Sequence, residues 1–392
     1  MKRISNRWVI LAVLFIGRVG LGFQFQTLGS VSEHLVDIFF FSYAEIGMLI
    51  GAFLLPGVVL ALPSGVAGRY VRDRLIVTTG LMFLALGGIV AVIATNFNIF
   101  GLARIICGIG FVLTTIFITK MVADWFEGKE LATAMSVTVM SWPFGIAMGQ
   151  VGHVWLAALF DWRVAFLAAS LYCCLGAVGI FSVYRAPINK NQAPPRAQLG
   201  LPPNQLTLTL LSSLVWAFFN AGYIVYLSFG VSVLVTGGYD PARAAATISL
   251  ASWVMLFSGA ICGQISDRFK KPDTILYICL AGGIASLLLL PWTQFAVGLS
   301  LLFGLIGMAP AGIIIALTAQ SMTPHRRAFG IGVFFSSYFV ITTPAPGIAG
   351  WLYDETAIAY WPIVFAAVLF LLAGIANAVF RYSQARLPQI AN

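Results

Sequence analysis

GQISDRFKK, residues 263–271, closes a long apolar run with an aspartate–arginine pair and two lysines. An earlier stretch, GVAGRYVRDR at 65–74, closes a comparable run in a similar way. Laying Gly65 on Gly263 gives a shift of 198 residues, and the same shift carries Ser42-Tyr43-Ala44 onto Asp240-Pro241-Ala242. In each copy the tripeptide opens and the basic segment ends an apolar stretch longer than the ~20 residues with which an α-helix crosses a bilayer core. A match at about half the chain length implies one unit present twice.

Composition agrees. The 392 residues are 60% hydrophobic and only 9% charged, against about 25% charged in soluble domains. A charge at the bilayer centre costs about 2.5–3.5 kcal/mol on insertion scales, so charges belong at helix ends. Turn and charge signals divide the chain into twelve spans, near 8–30, 43–67, 74–96, 99–124, 130–153, 163–184, 206–234, 242–268, 273–292, 296–322, 327–352 and 359–381. The expected fold is an all-α membrane protein of twelve transmembrane helices. One set of connections carries the N-terminus, Arg69, Arg72, Arg74, Lys129, Arg185, Lys190, Arg196, Arg268, Lys270, Lys271, Arg326, Arg327, Arg381 and Arg386; the other carries Arg163 and Arg243. Lys and Arg accumulate on cytoplasmic loops. Both termini are therefore expected in the cytoplasm, and the protein in the cytoplasmic (inner) membrane.

The same topology accounts for the net charge of +9 and argues against nucleic acid as a partner. The first span is longer than a signal-peptide core and no small-residue cleavage site follows it. All five cysteines (Cys107, Cys173, Cys174, Cys262, Cys279) fall inside spans, at spacings that fit neither a zinc site nor a disulfide framework. No metal or other cofactor is expected.

The one long polar connection, RAPINKNQAPPRAQLGLPPNQ at 185–205, is proline-rich in the manner of a semi-rigid linker. It separates an N-terminal six-helix bundle (1–184) from a C-terminal one (206–392). Duplicated helical units are a sign of secondary transporters. The chain resembles the major facilitator superfamily over essentially its whole length. That family's loop signature, G-x-x-x-D-R-x-G-R-K, is matched by Gly263, Asp267 and Arg268 with Lys270 and Lys271; the first copy keeps Gly65 but has Arg69 where the aspartate is expected. A second signature, R-x-x-x-G-x-G, is matched by Arg104, Gly108 and Gly110. The resemblance implies two pseudo-symmetric bundles working by alternating access, most often as a monomer. It gives Gly65, Arg69, Arg104, Gly108, Gly263, Asp267 and Arg268 gating or structural roles, with Gly65 and Gly263 at close approaches of helix ends.

The buried charges carry the functional expectation. All 13 acidic residues fall near expected span ends, as do His34, His153 and His325, whereas Arg18, Arg104 and Lys120 lie within spans. A cavity with cations and no carboxylate attracts anions. Arg18 is about 11 residues into its span, hence about 16 Å deep at ~1.5 Å per residue. Its guanidinium fork suits carboxylates and oxyanions, and Gly22, one turn on, is expected to leave room for a ligand. The competing role for Arg18 is structural, bonded to helix carbonyls across the bundle. Gln24 and Gln26 flank the Arg18 face on different rotations, so at most one can share it. Lys120 precedes Asp124 by one turn; pairing with Asp124 or reaching the headgroups is expected, with substrate contact as the alternative.

The 198-residue shift carries Arg18 onto Trp216 and Gly22 onto Asn220, so the second half supplies Asn220, Tyr223 and Tyr226 rather than a matching arginine. Sugar-phosphate and nitrate transporters of the family typically use a second arginine. One alone implies a smaller charge, such as an organic monocarboxylate, and a likeness to the cyanate/nitroimidazole or oxalate:formate branches. A proton or a counter-anion can couple to such a substrate. Ser141-Trp142-Pro143 and Thr343-Pro344-Ala345-Pro346-Gly347 are expected to interrupt their helices.

Three other functions compete. An exporter of multiple drugs or amphipathic compounds would suit the aromatic spans, but proton-coupled exporters usually carry a buried acid. A membrane-embedded enzyme needs a nucleophile–base pair, and the histidines are scattered; no enzymatic activity is expected. A sensor built on the transporter fold would share the same binding site.

Overall fold

The computed structural model describes residues 6–67, 71–126, 130–187, 200–323 and 326–387. In chain order the helices are α1 (Arg7–Ser30), α2 (Ser32–Phe39), α3 (Tyr43–Ala52), α4 (Leu55–Ala67), α5 (Asp73–Val92), α6 (Phe97–Phe126), α7 (Leu131–Leu159) and α8 (Trp162–Val183). They continue with α9 (Pro203–Thr236), α10 (Pro241–Phe269), α11 (Pro272–Leu289), α12 (Ala296–Leu302), α13 (Ala311–Ser321), α14 (Arg327–Thr342), α15 (Ala345–Thr356) and α16 (Trp361–Arg386). Eleven helical segments among the described residues are long and apolar enough to cross a membrane, and α7, of 29 residues, is a further long helix. The chain is an all-α, multi-pass membrane protein. Helices suit that setting because they satisfy their own backbone groups where water is absent.

Local chemistry sets the helix ends. Ser42 caps α3 by accepting from the Glu45 N–H, while the Glu45 carboxylate accepts the Ser42 N–H. Asp240 caps α10 by accepting from the Ala242 and Arg243 N–H groups, and Pro241 occupies the first helical position. Ser42 and Asp240 are the positions matched by the 198-residue shift, so the two copies start their helices with the same device.

Most span limits agree with the sequence to within a few residues; α7 runs on to Leu159, past the expected end at 153, and the breaks inside spans trace to proline. Span two is broken between Ala52 and Leu55, where Pro56 has no N–H to donate back to Ala52. Span ten carries a π-helical turn at Phe303–Gly307 ahead of Pro310. Span eleven breaks at Thr343-Pro344, as expected. At Pro143 the expectation fails, since α7 runs through it without interruption. The short helix α2 was not anticipated.

Contacts divide the chain into two compact units: residues 1–39 with 63–194, and 40–62 with 195–392. In the first unit α1 lies along α7 and α8, and α5 along α6 and α8. Close approach of α1 and α7 depends on Gly22 and Gly145: a Cβ on Gly22 would run into the Trp142 carbonyl and the Ile146 N–H, and one on Gly145 into the Val19 carbonyl and the Phe23 N–H.

In the second unit α9 packs against α14 and α16. There α3 lies directly on α15, with no space for a Cβ at Gly47 (against the Pro346 carbonyl), Gly51 (Thr343 carbonyl) or Gly350 (Tyr43 carbonyl). The Asp354 carboxylate accepts the Tyr43 N–H at 2.9 Å and the Ala44 N–H at 2.8 Å, which ties α15 to the start of α3.

These contacts set a sign test. Gly51→Ala is expected to lower the melting temperature through overpacking, at about 1–3 kcal/mol. Gly259→Ala, in α10 with open space at its Cβ, should be neutral or stabilising by up to about 1 kcal/mol because alanine favours the helix. Thermal unfolding of the two variants beside the wild type checks the difference.

Candidate functional site

Arg18 sits in the middle of α1 with 9% of its surface exposed. Its Nη1 donates to the Thr138 carbonyl at 2.7 Å and to the Ser141 hydroxyl at 2.9 Å, both on α7. The Ser141 hydroxyl in turn donates to the same Thr138 carbonyl at 2.6 Å. These acceptors lie in the turn that precedes Pro143, where the missing proline N–H leaves the helix with one backbone bond fewer. The carbonyl that loses its helix donor there is that of Val139, four residues before Pro143, and the guanidinium shares the neighbouring Thr138 carbonyl. Its Nε is buried and has no hydrogen-bond partner. Neither α1 nor α7 contains an acidic residue, so α7 holds the cation through dipoles and not through a carboxylate.

Beside it stands an aromatic group that sequence reasoning missed. The Trp142 ring lies 5.3 Å from Phe25 and 5.2 Å from Phe111, so α7, α1 and α6 each contribute one ring. The only sequence signal was Trp142 next to Pro143. Gly22 does not open space here, because the α7 backbone occupies the volume a side chain would take.

Arg104, on α6, is 1% exposed. Its Nη2 donates to the Phe25 carbonyl at 3.0 Å and its Nη1 to the Gln24 carbonyl at 3.3 Å, both on α1. That makes it a cross-link between helices, in keeping with a structural role. Gly108, one turn on, is buried in α6.

The other sequence candidates disperse. Gln24 is buried, its amide donating weakly to the Cys107 sulfur at 3.5 Å and leaving Oε1 without a partner. Gln26 is buried on a different side of α1, against Gly149 of α7. Lys120 pairs with Asp73 at 2.5 Å rather than with Asp124; tertiary packing of α6 on α5 sets this choice. His153 is fully buried within α7, which runs to Leu159, and not at a span end. Its ring lies 4.2 Å from Phe23, and neither its nitrogens nor the side-chain amide of Gln150 one turn earlier have partners.

In the second unit, the Asn220 amide donates to the Trp216 carbonyl at 2.8 Å within α9. Tyr223 pairs with the Ser252 hydroxyl at 2.6 Å, and Tyr226 donates to the Ile248 carbonyl at 3.2 Å. Both tyrosines are core contacts between α9 and α10. Gly263 has open space around its Cβ, so no helix among the described residues approaches it closely, and Asp267 and Arg268 are exposed at the end of α10. Gly65 lies in α4; Arg69, Lys129, His325 and 188–199 of the linker lie outside the described residues.

Arg104→Leu is expected to destabilise the fold by roughly 2 kcal/mol or more, since hydrogen bonds to a charged group contribute about 1.5–3 kcal/mol. Arg104→Lys should recover part of this. Melting temperatures of the two variants separate the cross-link from a purely electrostatic role.

A family model for the Major Facilitator Superfamily matches residues 14–343. The chain is 22% identical to the hexuronate transporter of Bacillus subtilis over 403 residues, covering 95% of this chain and 94% of that one. It is 28% identical over 185 residues to a probable L-galactonate transporter of Escherichia coli, covering 47% and 40%. Among solved structures, a bacterial homologue of the human lysosomal transporter Spinster superimposes with a TM-score of 0.75 at 17% identity over 97% of both chains. With the duplicated sequence, the apolar helices and the Arg104 signature, these likenesses carry one conclusion: the chain belongs to the Major Facilitator Superfamily and is a membrane transporter, not an enzyme.

Proposed function

We propose that the protein moves a small organic monocarboxylate across the cytoplasmic membrane by alternating access, with Arg18 as the main ligand for the carboxylate. Sugar acids of the hexuronate and galactonate kind are the favoured substrates. The halves 1–184 and 206–392 are the moving parts, joined by 185–205, and both termini face the cytoplasm. The protein works as a monomer, with a proton or a counter-anion as the coupled species.

One observation carries this reading. Arg18 is a permanent cation in mid-span that α7 holds through Nη1 alone, with Nε left unbonded. A guanidinium in that state retains donors for a carboxylate, and a fork is better suited to it than an ammonium. The Phe25, Phe111 and Trp142 rings add apolar faces of the kind that pack against the carbon side of a sugar ring. Asn220, only partly buried, supplies the polar contact of the second half. The hexuronate and galactonate relatives support the substrate class by likeness.

The test is ligand-induced thermal stabilisation of the purified protein with D-glucuronate and L-galactonate. Near 100 times its Kd a ligand adds about 2.7 kcal/mol of stability. The wild type should be stabilised, Arg18→Lys less so, and Arg18→Gln not at all. Equal stabilisation of wild type and Arg18→Gln would show that Arg18 is structural, and stabilisation by cationic drugs alone would favour an exporter.

A further inference from the structure

At one end of the first unit, the start of α5, the last third of α6 and the chain leaving α8 enclose an open cavity of about 630 Å³. Arg72, Arg74, Lys120 and Arg185 line it, together with Asp73 and Tyr184. The single carboxylate of the lining is already engaged by Lys120. Arg74 lies over the Phe181 ring at 4.6 Å and donates to the Phe181 carbonyl at 3.2 Å. Among the described residues the Arg185 guanidinium reaches only the neighbouring Tyr184 carbonyl, at 3.0 Å, and the Arg72 guanidinium makes no hydrogen bond or ion pair, while the Arg72 carbonyl accepts from the Leu75 and Ile76 N–H groups. Even with Asp124 close to the Tyr184 phenol, the cavity carries an excess of positive charge.

Tyr184 adds a second, independent feature. It is 2% exposed and, among the described residues, its hydroxyl makes no hydrogen bond of ordinary geometry, the Trp125 indole N–H being the donor nearby. The neighbouring Trp125 indole N–H is already committed to the Arg185 carbonyl at 2.9 Å. A buried hydroxyl left unbonded costs free energy until a ligand or water satisfies it. Burial first, then the nearby Asp124 and Asp73 carboxylates, push the phenol above its ordinary pKa, so it stays a neutral O–H donor.

The surroundings say which anion fits. The cavity lies at the ends of spans, where headgroups sit, and next to exposed apolar side chains. Leu75 and Met82 on α5, and Phe181, Val178 and Leu175 on α8, are each at least 41% exposed. A soluble phosphate would have no use for that strip, whereas acyl chains would cover it. We propose that the cavity is a headgroup site for an anionic phospholipid, whose phosphodiester pairs with Arg72 and Arg185 and accepts the Tyr184 O–H while its chains run along α5 and α8. Cations near a membrane surface hold anionic lipid, and a concave site with a donor at its floor adds selectivity.

Native mass spectrometry of the delipidated full chain, titrated with phosphatidylglycerol or with phosphatidylcholine of the same acyl chains, tests this. Wild type should retain phosphatidylglycerol in preference. Arg72→Gln/Arg185→Gln should lose roughly tenfold or more of that affinity with phosphatidylcholine binding unchanged, and Tyr184→Phe should lose less. A charge-matched control, Arg243→Gln/Lys271→Gln, should bind as wild type does. Should the double variant fold poorly, Arg72→Gln alone, which removes a side chain with no hydrogen bond among the described residues, carries the same test. The proposal is overturned if the cavity variants bind phosphatidylglycerol like the wild type, or if the control loses as much. Displacement of the lipid by millimolar glycerol 3-phosphate would assign the site to a free phosphate and overturn the lipid.

Discussion

A guanidinium inside a bilayer has to find acceptors where there is no water, and in the first unit two of them find the backbone of a neighbouring helix. Arg104 on α6 donates to carbonyls of α1, and Arg18 on α1 donates to a carbonyl of α7. Helix α1 is therefore bonded on both sides, once as acceptor and once as donor. Helix carbonyls are already used within their own helix, so such bonds need lone pairs to spare or a locally weakened turn. Arg18 uses a spare lone pair of the Thr138 carbonyl, one residue before the Val139 carbonyl that Pro143 leaves without a helix donor. The absence of acidic side chains on α1 and α7 follows from the same arrangement: dipoles hold the charge without neutralising it, and an anion can still be attracted to it.

This arrangement requires helices that lie very close together. A guanidinium that reaches only the adjacent backbone fixes the distance between helix axes, and bulky residues at the crossing would prevent the bond. Gly22 and Gly145 meet that requirement at the α1–α7 crossing. The second unit uses the same solution with different chemistry. There Gly47, Gly51 and Gly350 bring α3 onto α15, and the Asp354 carboxylate takes the place of the arginine by holding two N–H groups at the start of α3. In both crossings glycine sets the separation and a charged group bonded to backbone locks it.

Much of the fold was legible in the residues, and the reason is the solvent. Lipid forces long apolar helices and drives charge to their ends, so span limits, basic loops and the Ser42/Asp240 start signals could be read directly. Functional detail was read less well. Gly22 looked like space for a ligand because its helical face was judged without the helix that fills it. The sequence offers Lys120 either Asp124, four residues away on its own helix, or the headgroups, while its partner Asp73 lies 47 positions away in sequence and close in space. His153 was placed at a span end because nothing in the sequence marks how far α7 extends. The Trp142 ring could not be grouped with Phe25 and Phe111, since three different helices contribute them.

What the sequence determined by itself is the class of molecule. Hydropathy, the distribution of Lys and Arg, the 198-residue repeat and the two short signatures are properties of one strand of text, and each reflects a local cost of placing a residue in lipid or at its surface. They lead to a duplicated all-helical transporter with an unbalanced cation, Arg18, in its first span. What only the tertiary structure decided is what each buried polar group bonds to. Arg18 facing α7, Arg104 stapled to α1, Tyr223 and Tyr226 turned into the α9–α10 core and the cations gathered around Tyr184 all depend on which helix lies alongside. That choice is made by the packing of whole surfaces, and no local pattern of residues encodes it.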